Sequence, residues 1–156
     1  MDENLAIGRF LACRRVALVG VSRDAKDFSR AVLRAFVDRG YDVVPVNPSA
    51  TEMEGRPCHR SLRDVTPPVE AALLLTPSPR SAAAVEDCLA AGVRRIWFHR
   101  GGGDGAASVE ALALCERNGV DVVPGACPLM FLPHTGLVHR VHGFFHRLHR
   151  RRRPAA

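Results

Sequence analysis

Gly20, Val21, Ser22 and Arg23 follow directly on an apolar run, and Lys26 and Arg30 come shortly after them. A glycine lets the main chain turn sharply and lets a ligand approach it closely. Free amides at the start of a following helix, a serine hydroxyl and three cations are the groups that hold a phosphate or diphosphate. The alternative reading is an ordinary strand-to-helix turn. The loop carries GxS in place of the full GxGxxG fingerprint, and the next apolar run ends Val46-Asn47-Pro48, with no acid to hold a ribose 2′-hydroxyl. A conventional NAD site is therefore poorly supported. NADP is less excluded because arginines are near, although no 2′-phosphate clamp is identifiable.

Other loops carry weaker signals. Thr76-Pro77-Ser78-Pro79 holds the chain rigid, and its hydroxyls can cap the next helix or touch a ligand. Gly101-Gly102-Gly103 allows close approach to a diphosphate or a flexible connection. His99 reads as exposed or structural rather than catalytic, and Cys127 as a small buried hydrophobe, with a nucleophile, a thioester partner or a redox site as its alternatives. No Walker A loop, GxSxG elbow, metal-ligand cluster or acid–base carboxylate pair stands out. No catalytic and no metal residues are assigned, and binding without catalysis is the economical inference.

These loops need elements to position them. Arg15–Val21, Asp42–Val46, Ala71–Leu75, Arg95–Phe98 and Asp121–Val123 read as short apolar strands. Helical spacing falls on Phe28–Arg39, Ser81–Ala91 and Ala106–Asn118, each closed by a glycine. The alternation predicts an α/β fold: a doubly wound, mainly parallel, five-stranded Rossmann-like sheet. Pro45 suggests that the second strand is already ending there. Residues 47–70 form a long connection. In such a sheet a ligand lies beyond the carboxyl ends of the strands, which is where the loops above fall.

Composition bounds the rest. The chain has 156 residues and a formal charge of +6, and the six arginines of residues 134–156 account for all of that excess. The expected organisation is a formally neutral domain over residues 1–133 and a basic His/Arg-rich helix and tail over 134–156, with the helix at about Val138–Arg150. The five cysteines, Cys13, Cys58, Cys88, Cys115 and Cys127, are odd in number and lack CxxC spacing. Reduced thiols and a cytoplasmic location are the simplest account. The start MDENLAIGRF does not read as a signal peptide, and no apolar run reaches the roughly 18 to 20 residues of a membrane span. Leu137, Val141, Phe144 and Leu148 share one face of the tail helix, which can pack on the body or on a second copy and so leaves a homodimer open. His139, His142, His146 and His149 share another face, where a solvated basic helix is the expected reading over a metal site. Nucleic acid is not the expected partner, because Arg150–Arg153 is a short run without interleaved aromatics.

The stretch RVALVGVSRDAKDFSRAVLRAFVDRGYDVVPVNP resembles the first βαβ unit of small bacterial CoA-binding proteins. That group is related to the N-terminal CoA-binding domain of succinyl-CoA synthetase alpha chains. The GxPCxxSL stretch from Gly55 to Leu62, LLLTPSP, AGVRRIWFHRGG and NGVDVVPGACPLMFL are similar in the same order. The resemblance covers about residues 10–133. It implies a domain that binds coenzyme A or an acyl-CoA, a small-molecule nucleotide, usually without catalysis. It implies Gly20, Val21, Ser22 and Arg23 at the diphosphate, Pro45, Asn47 and Pro48 bordering the adenosine 3′-phosphate, and Thr76, Pro77 and Ser78 on the opposite wall. Ser29 and His99 depart from the residues common in those relatives. The synthetase's phosphohistidine loop is missing, so acyl-CoA synthesis by this chain alone is not expected. The alternatives are an NAD(P)-binding redox sensor or regulator with a basic tail, and an acyl-CoA-using enzyme with Cys127.

Overall fold

The structure, a computed structural model, describes residues 2–100 and 105–133. The expected tail helix at Val138–Arg150 and the Gly101–Gly103 loop lie outside those residues. Five strands form one parallel sheet: β1 (Arg15–Val19), β2 (Asp42–Val46), β5 (Ala71–Leu74), β6 (Arg95–His99) and β7 (Asp121–Ala126). Their spatial order is β2-β1-β5-β6-β7. The chain therefore steps from β1 to one side, then returns to build the rest of the sheet on the other. The point of reversal lies between β1 and β5.

Both sheet faces are covered, so β5 is buried throughout and β1, β2 and β6 are buried through their middles. Val16 and Leu18 of β1, Leu73 of β5 and Trp97 of β6 point to one cluster. There they meet α1 (Glu3–Leu11) and α2 (Phe28–Val37) through Ile7, Phe10, Val32, Leu33 and Phe36. Ala17, Ala72, Leu74, Ile96 and Phe98 point to the other, against α3 (Ser81–Ala90) and α4 (Val109–Arg117). The period-2 alternation along each strand sorts the two layers.

Several boundaries differ from expectation for physical reasons. Helix α1 carries no strong sequence signal, yet Asp2 caps it by accepting from the Asn4 amide at 3.0 Å, and Ala6, Ile7 and Phe10 form a narrow buried face. Helix α4 starts later than expected because Ser108 is its cap, accepting from the Ala111 amide at 3.1 Å. Strand β7 runs on through Pro124 and Gly125 to Ala126, which the sheet edge tolerates. Pro45 does not end β2, for the same reason. Its carbonyl faces away from β1 and accepts from the His59 amide at 3.1 Å, so its missing N–H falls on the outer side of an edge strand. Within residues 47–70, β3 (Glu52–Met53) and β4 (Arg56–Pro57) form a hairpin. Glu54 and Gly55 make its two-residue turn at φ +50° and +70°.

Phe10 is 1 % exposed and meets Trp97 edge-on, with ring centroids 5.2 Å apart. Phe10→Ala is expected to cost about 3–5 kcal/mol in chemical denaturation. Emission from Trp97, the sole tryptophan, should shift to the red in the same variant if the contact is formed as described.

Candidate functional site

The carboxyl ends of β1 and β5 meet at Gly20. At φ +90°, a Cβ added there would lie 2.7 Å from Thr76 Cγ2 and 2.9 Å from the Thr76 amide nitrogen. Only glycine permits both the left-handed conformation and this approach. Three hydrogen bonds fix the junction. The Leu75 amide donates to the Val19 carbonyl at 2.8 Å, the Gly20 amide donates to the Val46 carbonyl at 3.0 Å, and Asn47 Nδ2 donates to the Val21 carbonyl at 2.7 Å. Gly20–Arg23, Asn47 and Thr76 thus come together at the point of reversal, where open α/β sheets bind ligands. Pro48 is exposed and Pro45 buried beside them, and Ser78 opens a 3-10 turn, Ser78–Arg80.

The loop after Gly20 is internally braced. Ser22 Oγ accepts from the Asp24 amide at 3.1 Å, and Asp24 Oδ1 accepts from the Lys26 amide at 2.9 Å. Buried Ser29 receives the Ser22 amide on its hydroxyl at 2.8 Å and donates that hydroxyl to Asp27. Asp27 also accepts from the Ser29 amide at 2.8 Å, so the start of α2 is capped by the chain's own carboxylate. Among the described residues, the loop amides that find no protein acceptor include those of Val21 and Arg23. Val21 is fully buried, which leaves the Arg23 amide, on the exposed part of the loop, as the donor of the pair open to an anion.

The cations divide. Arg23 and Lys26 are exposed at the rim. Arg30 is only 12 % exposed and engages Glu54, its Nη2 lying 2.7 Å from Oε1. Its Nη1 donates to the Ser22 and Arg23 carbonyls at 3.3 and 3.4 Å. Arg34 joins the same carboxylate at 2.9 Å. The hydrogen bond from Arg30, with both positive charges, holds the Glu54 carboxyl below the usual range. Arg30 therefore shapes the loop from behind. Sequence reasoning missed this because Glu54 arrives from a hairpin that the pattern left as loop.

Two polar atoms at the rim are enclosed without a partner, Thr76 Oγ1 and His99 Nε2. The capping role open to the TPSP hydroxyls is not realised, since α3 begins without a side-chain cap. Phe28 lies over His99, ring centroids 5.1 Å apart. Burial holds the imidazole pKa below its ordinary value of 6.5. All five cysteines are free and buried. Burial pushes the Cys127 thiol up, against weaker backbone hydrogen bonds, and among the described residues no cation acts on it to activate it as a nucleophile. Among the described residues no group of three metal-ligating side chains gathers, and no helix is long and apolar enough to cross a membrane. An open depression of about 320 Å³, lined by Leu62, Val65, Val69 and Ala90, lies at the start of β5 and the end of α3, away from the rim.

Two predictions follow from this geometry. Gly20→Ala should cost about 1–3 kcal/mol more than Gly40→Ala in denaturant titrations. Gly40 shares the left-handed strain at φ +81° but has open space around it. For His99, the unfolded chain takes up a proton near pH 6.5 that the folded imidazole refuses until lower pH. Stability contributed by the neutral side chain should therefore be complete above pH 6.5 and decline as pH falls toward the folded-state value. His99→Leu should flatten that part of the stability curve.

A family model described as CoA binding domain matches residues 14–133. The uncharacterised protein YneT of Bacillus subtilis is 26% identical over 114 residues, 73% of this chain and 82% of that protein. A hypothetical protein from Pyrococcus horikoshii has a similar structure, with a TM-score of 0.74 and 25% identity over 82% of this chain and 87% of its own. The apo dinucleotide-forming acetyl-coenzyme A synthetase 1 of Ca. Korarchaeum cryptofilum is similar at a TM-score of 0.65 and 27% identity. That match takes in 75% of this chain but only 27% of the synthetase.

Proposed function

The chain belongs to the CoA binding domain family, and on that premise we propose that it binds coenzyme A or an acyl-CoA at the β1–β5 junction, without catalysis of its own. The observation that carries this reading is the contact of Gly20 with Thr76, which places the GVSR and TPSP loops side by side where the strand order reverses. The diphosphate lies on the unpaired Arg23 amide, with Arg23 and Lys26 supplying charge, and buried Val21 sets the path of the loop behind it. Arg30 acts from behind by holding the Ser22 and Arg23 carbonyls. Asn47 ties the second loop to the first and borders the 3′-phosphate together with Pro45 and Pro48. Thr76, Pro77 and Ser78 form the facing wall.

NAD fits less well. A dinucleotide site of that kind needs a carboxylate at the end of β2 for the ribose. Asn47 stands there instead, its Nδ2 donating to Val21 and its Oδ1 accepting from the Ser49 amide at 2.8 Å. Burial, the largest influence on Cys127, raises its thiol pKa and so supports binding rather than thioester chemistry. Five unpaired thiols suit the reducing cytoplasm, where we place the protein.

Isothermal titration with CoA, acetyl-CoA, NAD and NADP tests the proposal. One CoA should bind per chain, and Arg23→Ala combined with Lys26→Ala should weaken it by roughly tenfold or more, as expected for losing charge-assisted contacts. Binding of a dinucleotide with none of CoA would overturn it.

A further inference from the structure

We propose that Glu54 is a positioning residue for the ligand loop: acting through Arg30, it turns the Ser22–Arg23 peptide so that the Arg23 amide faces the diphosphate. This rests on the reading of the rim as a CoA site and adds to that site a residue from the β3–β4 hairpin. A guanidinium is planar, so fixing two of its nitrogens fixes the third. Arg30 places both Nε and Nη2 on Glu54 Oε1, at 2.9 and 2.7 Å. Its Nη1 is thereby aimed at the loop, where it donates to the Ser22 carbonyl at 3.3 Å and the Arg23 carbonyl at 3.4 Å. Across a trans peptide the carbonyl and the next N–H point in opposite directions. Drawing the Ser22 carbonyl toward Arg30 therefore sends the Arg23 N–H the other way. The next amide along, that of Asp24, is already taken by Ser22 Oγ at 3.1 Å.

The backbone at Glu54 supports the same role independently. A two-residue hairpin turn with positive φ at both positions favours Asn-Gly or Gly-Gly. Here the first position is Glu54, the one non-glycine among the described residues with a positive φ. A side chain kept against that local preference points to a task for the side chain itself. Packing is not that task, because the neighbouring Met53 does it. Met53 is buried in the layer under α1 and α2 and so seats the hairpin beside α2. Bulk charge is not the task either. An acid near the site of a polyanion repels it, so on charge alone the loss of Glu54 would strengthen CoA binding. Positioning predicts the opposite sign, which makes the two effects separable.

The experiment measures CoA affinity by titration for wild type, Glu54→Gln, Glu54→Asn, Glu52→Gln, Arg30→Ala and the double variant Glu54→Asn/Arg30→Ala. Each glutamate change removes one negative charge, and exposed Glu52 lies on the same hairpin. Glu54→Asn suits the turn but is too short to hold Arg30, and should weaken CoA about five- to tenfold. Glu54→Gln keeps an acceptor and should weaken it about two- to threefold. Glu52→Gln should bind CoA as tightly as wild type or slightly more so. Arg30→Ala should cost at least as much as Glu54→Asn, and adding Glu54→Asn to it should cost less than about a further twofold, because the two act as one unit. In the ligand-free protein the Arg23 amide resonance should shift in Glu54→Asn and stay in place in Glu52→Gln. Unchanged or tighter CoA binding by Glu54→Asn, fully additive losses in the double variant, or an unmoved Arg23 amide would each overturn the positioning role while leaving the CoA site standing. A folded wild type that binds no CoA would overturn the reading of the rim and this assignment with it.

Discussion

The packing of Gly20 on Thr76 governs the rest of the rim. Two parallel strands lie side by side at a fixed spacing, but their loops normally diverge because their helices cover opposite sheet faces. Here the loops touch before they part, because one residue has no side chain. Around that contact the Val19, Val21 and Val46 carbonyls are all taken by neighbouring donors. Three strand ends become one rigid platform, and the loop amides that remain unpaired are held where the chain leaves it.

Electrostatics refine that platform from outside. The cation expected at the ligand, Arg30, is neutralised by a carboxylate from a distant hairpin and acts through main-chain carbonyls. The helix end expected to attract an anion is already occupied by Asp27. What remains is a neutral, braced loop with two exposed cations at its edge. Such an arrangement favours recognition through main-chain geometry over bulk charge, which fits a body whose acidic and basic side chains balance.

The sheet was legible because its strands are buried on both faces and so read as unbroken apolar runs, β1 and β5 most clearly. The GVSR loop was legible because glycine after a buried strand has a specific mechanical use. Other features were hidden for definite reasons. Helix α1 buries only a thin stripe, so its periodicity is weak. Pro45 looked like a strand breaker because its position at a sheet edge depends on strand order, which pattern alone does not supply. The role of Arg30 depends on Glu54, and that partner is brought close only by a turn in which Glu54 itself adopts a left-handed backbone at φ +50°. His99 looked like an ordinary strand-end histidine because enclosure by Phe28 is a property of the folded loop.

The distribution of sulfur across the two layers has a practical consequence. Cys13, Cys58 and Cys127 sit in the layer under α1 and α2, whereas Cys88 and Cys115 sit beneath α3 and α4. Burial drives the Cys115 thiol up to about 11 and raises that of Cys88 further still. Each layer thus carries its own internal label, silent to alkylating reagents while closed. Mass-resolved labelling would report the opening of the two sheet faces separately, without an added probe.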